Sequence, residues 1–172
     1  GFLDDYLKNF LKLKKGLVPK YKLWGQVSVG LLLTLAIYYG GTGSEVTNLQ
    51  IPFFKNLIIP LGWTFIPLMV FYITGISNAV NLTDGLDGLS AGVMIFSAVG
   101  LGIMSYLKGN FNSAAYLHLE FIPTAGELTV FIAGLIGTLI GFLWFNSHPA
   151  EVFMGDTGSL TLGGILAVIS IL

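Results

Sequence analysis

The sequence predicts an all-α fold, a polytopic transmembrane helical protein with about five spans, and three observations support this. Of the 172 residues, 54% are hydrophobic and only 10% are charged. The mean hydropathy is +0.81, and this composition lies well outside the soluble globular range. Several apolar stretches without a charged residue also approach the ~20 residues that cross about 30 Å of hydrocarbon. Residues 1–172 are therefore interpreted as a single integral membrane domain.

The predicted spans follow from these apolar stretches. Four of them are complete: Leu23–Tyr39, Leu57–Ile76, Leu89–Leu107 and Leu128–Phe145. A fifth, Leu160–Leu172, has 13 residues, enough for about two thirds of a bilayer core at ~1.5 Å per residue. We interpret the chain as a central fragment whose earlier and later helices are missing. A short buried or re-entrant last helix is the alternative.

Lysine placement predicts the orientation of the chain. Six of the eight basic residues, all of them lysines, lie in the first 22 residues, and short basic segments stay on the cytoplasmic side of a membrane. Alternation then places residues 40–56 and 108–127 outside and residues 77–88 and 146–159 inside. All five aspartates consequently fall on the cytoplasmic face, in three segments: Asp4 with Asp5, Asp84 with Asp87, and Asp156.

The outer segments carry no predicted chemistry. Residues 46–54 contain enough β-branched and aromatic residues for a short hairpin at the membrane surface, and His118 is expected to be a surface residue.

Within the predicted spans, Gly137 and Gly141 have the spacing of a close helix contact. The absence of cysteine from the sequence excludes disulfides and thiolate metal sites.

The run from residue 78 to residue 88 holds the densest polar pattern in the chain. Its two asparagines and two aspartates recur at spacing three: Asn78, Asn81, Asp84 and Asp87. This spacing places the polar groups on one side of a helical or turn-rich segment, and the glycine after each aspartate allows a sharp turn or close approach to a ligand. A helix end, a tight turn and a new helix cap are the alternative, since Asn, Asp and Gly also serve those roles.

Asp156 lies between two glycines directly before the last apolar stretch. It is a candidate ligand-binding carboxylate, and the positive end of that helix would favour an anion beside it. The alternative is that Asp156, Thr157 or Ser159 only caps the helix. In the same loop, His148 is expected to be a turn residue, and Phe153 either stacks on a base or anchors the loop to the membrane.

Oxygen ligands without cysteine or clustered histidine favour a hard cation. Mg²⁺ fits best, because one or two carboxylates plus substrate phosphates usually hold it. Lysines at roughly helical spacing could line a phosphate-binding face: Lys8, Lys12, Lys15 and Lys22. A basic run beside a membrane also serves topology and headgroup contact alone. No Walker loop or GxGxxG sequence occurs, which argues against a soluble nucleotide-binding fold.

Three segments together resemble the polyprenyl-phosphate N-acetylhexosamine-1-phosphate transferases: residues 1–8, 78–88 and 149–159. The resemblance runs through essentially all of this chain, which corresponds to the middle of the family's usual length. The branch resembled most uses UDP-MurNAc-pentapeptide. The resemblance implies an Mg²⁺-dependent transferase of peptidoglycan biosynthesis at the cytoplasmic face of the bacterial inner membrane. Its substrates would be UDP-MurNAc-pentapeptide and undecaprenyl phosphate, and its products lipid I and UMP.

The resemblance also implies roles for individual residues. Asp4 and Asp5 form a paired-aspartate segment, with Asp4 as a candidate base for the lipid phosphate. Asp84 and Asp156 are further catalytic candidates, and Asp156 is the implied magnesium ligand. The implied substrate contacts are Lys8, Lys12 and Lys20 for phosphate, Asn78 and Asn81 in the central polar cluster, and Gly85, Leu86, Asp87, Asn146 and Phe153 in the nucleoside pocket, with Phe153 under the uracil. Direct attack and double displacement through an aspartyl phosphate both remain open.

Two other functions remain open as well. A sister enzyme that uses UDP-GlcNAc would share most of these residues, and the family's histidine-rich cytoplasmic loop, which contributes to sugar selectivity, lies outside this chain. A cation transporter could also gather aspartates, but transporters usually place ionisable groups near the midplane, and the four complete spans carry none. A homodimer is a family-level expectation, and no nucleic-acid partner is expected.

Overall fold

The computed structural model describes Asp4, Tyr6 and residues 18–40, 47–50 and 58–172. Six helices lie in these ranges: α1 (Pro19–Gly40), α2 (Phe65–Thr83), α3 (Leu89–Gly109), α4 (Phe111–Leu117), α5 (Ala125–Asn146) and α6 (Gly155–Ile171). Within the described ranges, α1, α3, α5 and α2 with its preceding 3-10 turn, Gly62–Thr64, are long and apolar enough to cross a membrane. The prediction of an all-α polytopic membrane protein is confirmed.

A short hairpin precedes α2. Strand β1 (Asn48–Gln50) pairs antiparallel with β2 (Ile58–Pro60), and Leu49 lies opposite Ile59. The predicted hairpin is therefore present, but its second strand follows the predicted range of 46–54. The short helix α4 lies in the other predicted outer loop.

Two helices extend beyond the hydropathy pattern toward the end that carries the aspartates. α2 continues past Ile76 to Thr83, and α6 begins at Gly155, before the predicted start. Hydropathy locates the segment that needs hydrocarbon, whereas backbone hydrogen bonding continues the helix through polar side chains beyond it. As a result, Asn81 and Asp156 stand on helices rather than in loops.

The core lies where α3, α5 and α6 meet. The principal helix contacts join α3 to α5, α2 to α6, and α1 to α2. The buried cluster consists of Met94, Ala98, Ile132, Leu139, Leu166 and Ile169. Large apolar side chains also cover the outside of the bundle, among them Leu32, Phe71, Phe96, Val130 and Trp144. An apolar exterior of this kind suits helices surrounded by hydrocarbon.

Helices α2 and α6 approach most closely at Gly163. A Cβ atom on Gly163 would lie 2.7 Å from Cα of Ser77 and 3.0 Å from the carbonyl oxygen of Ile76. Such distances are too short for any side chain larger than hydrogen, so glycine permits this helix crossing. The hydroxyl of Ser77 also donates to the carbonyl oxygen of Leu160 at 2.8 Å. This contact fixes α6 against the C-terminal half of α2.

The predicted close contact through Gly137 and Gly141 is not found among the described residues. Both glycines are exposed, and no atom lies within 4 Å of a Cβ built on either one. α5 instead turns Ile132 and Leu139 into the core. Spacing alone could not distinguish the packed face of this helix from its outer face.

Replacing Gly163 with alanine should lower the free energy of unfolding by about 1–3 kcal/mol, the usual range for overpacking a core. Gly164→Ala is the matched control, because no atom lies within 4 Å of a Cβ at Gly164. Both changes add the same helix propensity, so the difference between them isolates the clash with α2. Chemical unfolding of the two purified variants measures it, and equal stabilities would contradict the packing argument.

Candidate functional site

The site is centred on Asp156, in the first turn of α6. Its Oδ2 atom accepts a hydrogen bond of 2.8 Å from Nζ of Lys22 on α1. Its Oδ1 atom accepts one of 2.8 Å from Nδ2 of Asn81 on α2. Nδ2 of Asn81 also donates to Oγ of Ser159 at 2.8 Å. Three helices are therefore joined at a single carboxylate.

Local structure explains why Asp156 is available for these contacts. The N-cap position of α6 is occupied by Met154, which makes no side-chain capping bond, so the alternative that Asp156, Thr157 or Ser159 caps the helix is wrong. Within the first turn of the helix, the carboxylate lies near backbone N–H groups that have no partner inside the helix and near the positive end of the helix dipole. A negative charge is favoured at this position before any ligand is considered.

Two further aspartates adjoin Asp156. Asp4 is only 5% exposed, and its side chain hydrogen-bonds to that of Asp156. Asp84, directly after the end of α2, is hydrogen-bonded by the backbone of Gly155. Aspartates from three distant segments thus meet at one end of the bundle, as the predicted topology requires. Asp5 lies outside the described residues.

The surroundings drive the pKa values of two of these carboxyl groups in opposite directions. Burial by itself raises the pKa of Asp156, but hydrogen bonds from Lys22 and Asn81 and the positive charge of Lys22 together hold it well below its usual range. Burial, followed by the negative charge of Asp156, raises the pKa of Asp84, and the hydrogen bond from Gly155 only partly opposes this. Asp156 is therefore the stable anion of the pair.

Asp84→Asn should change how stability depends on pH. A carboxyl group whose pKa is raised by folding contributes stability below its unfolded pKa of 3.8, and this contribution is lost as pH rises through the folded pKa. Asparagine cannot ionise and keeps an acceptor for the backbone of Gly155. The unfolding free energy of the variant relative to the parent should therefore increase from acidic to neutral pH, measured without divalent metal. A pH-independent difference would contradict the raised pKa.

A second set of contacts joins the turn after α2 to the loop before α6, and Asn146 is at its centre. Asn146 is 4% exposed. Its Oδ1 atom accepts from the N–H of Gly88 at 3.1 Å, and its Nδ2 atom donates to the carbonyl oxygen of Val152 at 2.8 Å. Gly88 has φ of 72°, a left-handed conformation that favours glycine. Asn146 therefore uses both ends of its amide to hold the two segments together.

Asp87 joins the same two segments. Its Oδ2 atom lies 3.0 Å from Nδ1 of His148 and accepts from the N–H of Ala150 at 3.3 Å. The N-cap residue of α3 is Gly88, so Asp87 does not occupy the capping position that the sequence left open. His148, predicted only as a turn residue, is thus also the partner of a candidate site carboxylate.

The remaining nucleoside-pocket candidates lie at the surface of this region. Gly85 and Leu86 belong to the turn between α2 and α3, and Phe153 belongs to the loop before α6. The side chains of Leu86 and Phe153 are both largely exposed. Two large apolar groups at the polar end of the bundle offer a surface for a flat ring or for the membrane.

The lysine candidates are only partly described. Lys8 and Lys12 lie outside the described residues, and Lys20 is exposed on the first turn of α1. Lys22, two residues further on, is the lysine that contacts Asp156. The helical spacing of the lysines drew attention to Lys22, but the resemblance did not assign it a substrate contact. Nothing in the sequence indicated which of the two side chains, Lys20 or Lys22, points toward Asp156.

Asn78 is placed differently from the other polar candidates. Its Nδ2 atom donates to Oε1 of Gln26 on α1 and to the carbonyl oxygen of Thr74, both at 2.8 Å. Nε2 of Gln26 donates in turn to Oδ1 of Asn78 at 3.3 Å. Gln26 was not among the predicted site residues. The sequence feature that could have indicated a role for Gln26 is its position four residues after Lys22, on the same face of a helix.

An apolar cavity of about 800 Å³ opens beside the cluster, between α1, α2 and α6. Asp4 and Lys22 line the cavity together with apolar side chains such as Val29, Ile73 and Ile165. The polar site therefore opens directly into an apolar cavity between the helices.

Comparison with known proteins gives a uniform result. The family model described as glycosyl transferase family 4 matches residues 1–172. Over 100% of its length the chain is 54% identical to a phospho-N-acetylmuramoyl-pentapeptide-transferase of Chlorobium phaeobacteroides (strain BS1) and 51% identical to one of Pelodictyon phaeoclathratiforme (strain DSM 5477 / BU-1), and it covers 47% of each. A protein of the same name from Flavobacterium psychrophilum is 42% identical over 99% of the chain and is covered over 52% of its own length. The chain therefore spans about half the length of the curated relatives it matches.

Proposed function

The chain belongs to glycosyl transferase family 4, and on this premise we propose that it carries the catalytic site of a phospho-N-acetylmuramoyl-pentapeptide-transferase. The reaction transfers phospho-MurNAc-pentapeptide from UDP-MurNAc-pentapeptide to undecaprenyl phosphate and yields lipid I and UMP. Relatives named for this transferase are 54% and 51% identical to the chain. The observation that carries the proposal is the carboxylate of Asp156, held by Lys22 and Asn81 beside Asp4 at the polar end of membrane helices.

The proposed site faces the cytoplasm from the bacterial inner membrane. Support comes from the length of α5, whose 22 residues rise by ~33 Å. Glu127 lies in its first turn and Asn146 at its last residue, so the two mark opposite ends of the bundle. Asn146 is on the side of the aspartates, and the lysine-rich first segment favours the cytoplasm for that side.

The oxygen donors at Asp156 suit Mg²⁺. Carboxyl groups as close as those of Asp4 and Asp156 repel each other when both are ionised, and a divalent cation held by them would remove that repulsion. Within the described ranges, no three histidine, cysteine or carboxylate side chains are grouped closely enough for a complete metal site. This suits a cation that takes further ligands from water and substrate phosphates. When bound, Mg²⁺ neutralises charge on the pyrophosphate.

The chain's own residues supply the other requirements of phosphoryl transfer, which are positioning and charge. Lys22 brings a positive charge to the carboxylate cluster, and Asn81 orients Asp156. Asp4, buried at the cavity mouth, is the candidate base for the lipid phosphate, a role that requires its ionised form. The exposed ring of Phe153 and the exposed side chain of Leu86 bind the uracil.

The apolar cavity supports a polyprenyl acceptor. It begins at Asp4 and Lys22 and continues along apolar faces of α1, α2 and α6. A lipid phosphate therefore has a path that keeps its hydrocarbon in an apolar volume while its headgroup reaches the cluster.

Release of UMP by the full-length protein tests the function. Undecaprenyl phosphate and Mg²⁺ are supplied, with UDP-MurNAc-pentapeptide and UDP-GlcNAc offered in parallel reactions and EDTA as the metal control. We expect release from the muramoyl-pentapeptide nucleotide alone and none with EDTA. Release from UDP-GlcNAc alone would transfer the site to the sister enzyme, and metal-independent release would overturn the role given to Asp156.

A further inference from the structure

We propose that Gln26 is a positioning residue, which pairs with Asn78 across two helices and thereby holds the ammonium group of Lys22 on Asp156. The inference rests on the proposed function, since it concerns the rate of that reaction. Gln26 and Asn78 exchange two hydrogen bonds, of 2.8 Å and 3.3 Å. Each amide donates to the other, so the contact fixes both the separation and the relative rotation of α1 and α2.

The pair lies one helical turn from the site. Gln26 follows Lys22 by four residues on α1, and Asn78 precedes Asn81 by three residues on α2, so each amide shares a helix face with a group that binds Asp156. The amide pair and the carboxylate contacts are therefore two successive layers between the same helices. A shift of α1 at Gln26 would move Lys22 by a similar distance.

The surroundings make the pairing specific. Gln26 is half-buried and lines the apolar cavity, where an amide without a partner is costly. The second hydrogen of the Asn78 amide goes to the carbonyl oxygen of Thr74, which fixes the orientation of that amide. The amide to which Gln26 bonds therefore has a fixed orientation. Both hydrogen bonds between Gln26 and Asn78 form only when α1 lies at one position relative to α2.

Lys22 needs such support because its side chain is long and flexible. A lysine ammonium is a mobile charge on a four-carbon stem, and one charge contact at a site still 23% exposed does not by itself order it. With α1 held in place, fewer conformers of Lys22 reach away from Asp156. Small errors in position cost large factors in rate, about 100-fold for 1 Å.

The kinetic test compares Gln26→Met, which keeps side-chain length and removes the amide, with the full-length parent. We expect kcat for UMP release to fall about tenfold, with KM for the nucleotide changed less than twofold. In a Lys22→Met background the same substitution should cause no further loss, because Gln26 acts through Lys22. The inference would be wrong if the losses in kcat from the two substitutions multiply in the double variant. It would also be wrong if kcat of Gln26→Met stays within twofold of the parent.

The second test does not depend on activity. Limited acetylation followed by mass spectrometry reports the accessibility of each lysine amine, and the exposed Lys20 serves as an internal reference. Labelling of Lys22 relative to Lys20 should be low in the parent and rise at least threefold in Gln26→Met. Ser28→Ala is the matched control on α1. Among the described residues, the Ser28 hydroxyl donates only to the carbonyl oxygen of Trp24 in its own helix, so this change should alter neither labelling nor rate.

These readouts separate the possible failures. In one outcome the parent is inactive, but its Lys22 resists acetylation and becomes reactive in Gln26→Met. This outcome would refute the proposed function and support the positioning role. An active parent with unchanged Lys22 labelling in Gln26→Met would refute the positioning role alone. A lowered thermal midpoint in Gln26→Met with unchanged Lys22 labelling would assign Gln26 to stability and also overturn the inference.

Discussion

Asp156→Asn should reduce UMP release by the full-length protein at least 10³-fold while the protein remains folded. Asparagine has nearly the same shape, but it removes the negative charge that faces Lys22 and that would bind the metal. Loss of a group that stabilises charge in the transition state costs factors of this size. Steady-state assays at saturating Mg²⁺, with the thermal unfolding midpoint measured in parallel, provide the test.

Glu151→Gln is the matched control for this variant. Glu151 is an exposed carboxylate in the loop before α6, and its conversion makes the same change of net charge. It should keep the rate within twofold. If Asp156→Asn were as active as this control, Asp156 could not be the central carboxylate of the reaction.

Lys22→Met should lower kcat about 100-fold, the second largest effect expected. Its ammonium group lies 2.8 Å from Asp156, and methionine keeps the length of the stem without the charge. Lys20→Met should cause a smaller loss, since Lys20 points to solvent two residues earlier. Equal losses for the two lysines would indicate that only the total positive charge of the segment matters.

The same substitution should alter the pH dependence of the rate. Lys22 helps to lower the pKa of Asp156, so its removal raises that pKa. The Asp156 carboxylate is then protonated at a higher pH, and the acidic limb of the kcat profile should move toward neutral pH. The measurement is a pH–rate profile for parent and variant, and an unmoved acidic limb would argue against Asp156 as the titrating group.

Composition and charge placement were sufficient to predict the spans and the meeting of the aspartates. Hydrocarbon requires long uncharged helices, and the alternation of loops then collects Asp4, Asp84 and Asp156 on one face without any knowledge of their contacts. The ends of helices were harder to predict. α2 reaches Thr83 because polar residues continue a helix as readily as they end it, and no hydropathy signal marks that boundary.

The partners of individual side chains could not be predicted from the sequence. Lys20 and Lys22 have the same side chain and the same charge, and the placement of α1 against α6 selects Lys22 as the partner of Asp156. Gln26 and Asn78 are 52 residues apart, and their pairing depends on helix packing that no local pattern encodes. The nucleoside role implied for Asn146 stays a prediction, although its amide is engaged by two backbone groups.

The glycine contact between α2 and α6 also links the packing of the helices inside the bundle to the position of Asp156. Asp156 and Gly163 stand seven residues apart on one helix, about 10 Å or two turns. Because both residues belong to one continuous helix, a change in the packing at Gly163 is expected to shift the carboxylate of Asp156. On the proposed function, a hydrophobic molecule that separates α2 from α6 at Gly163 is expected to lower the rate of UMP release without occupying either substrate site.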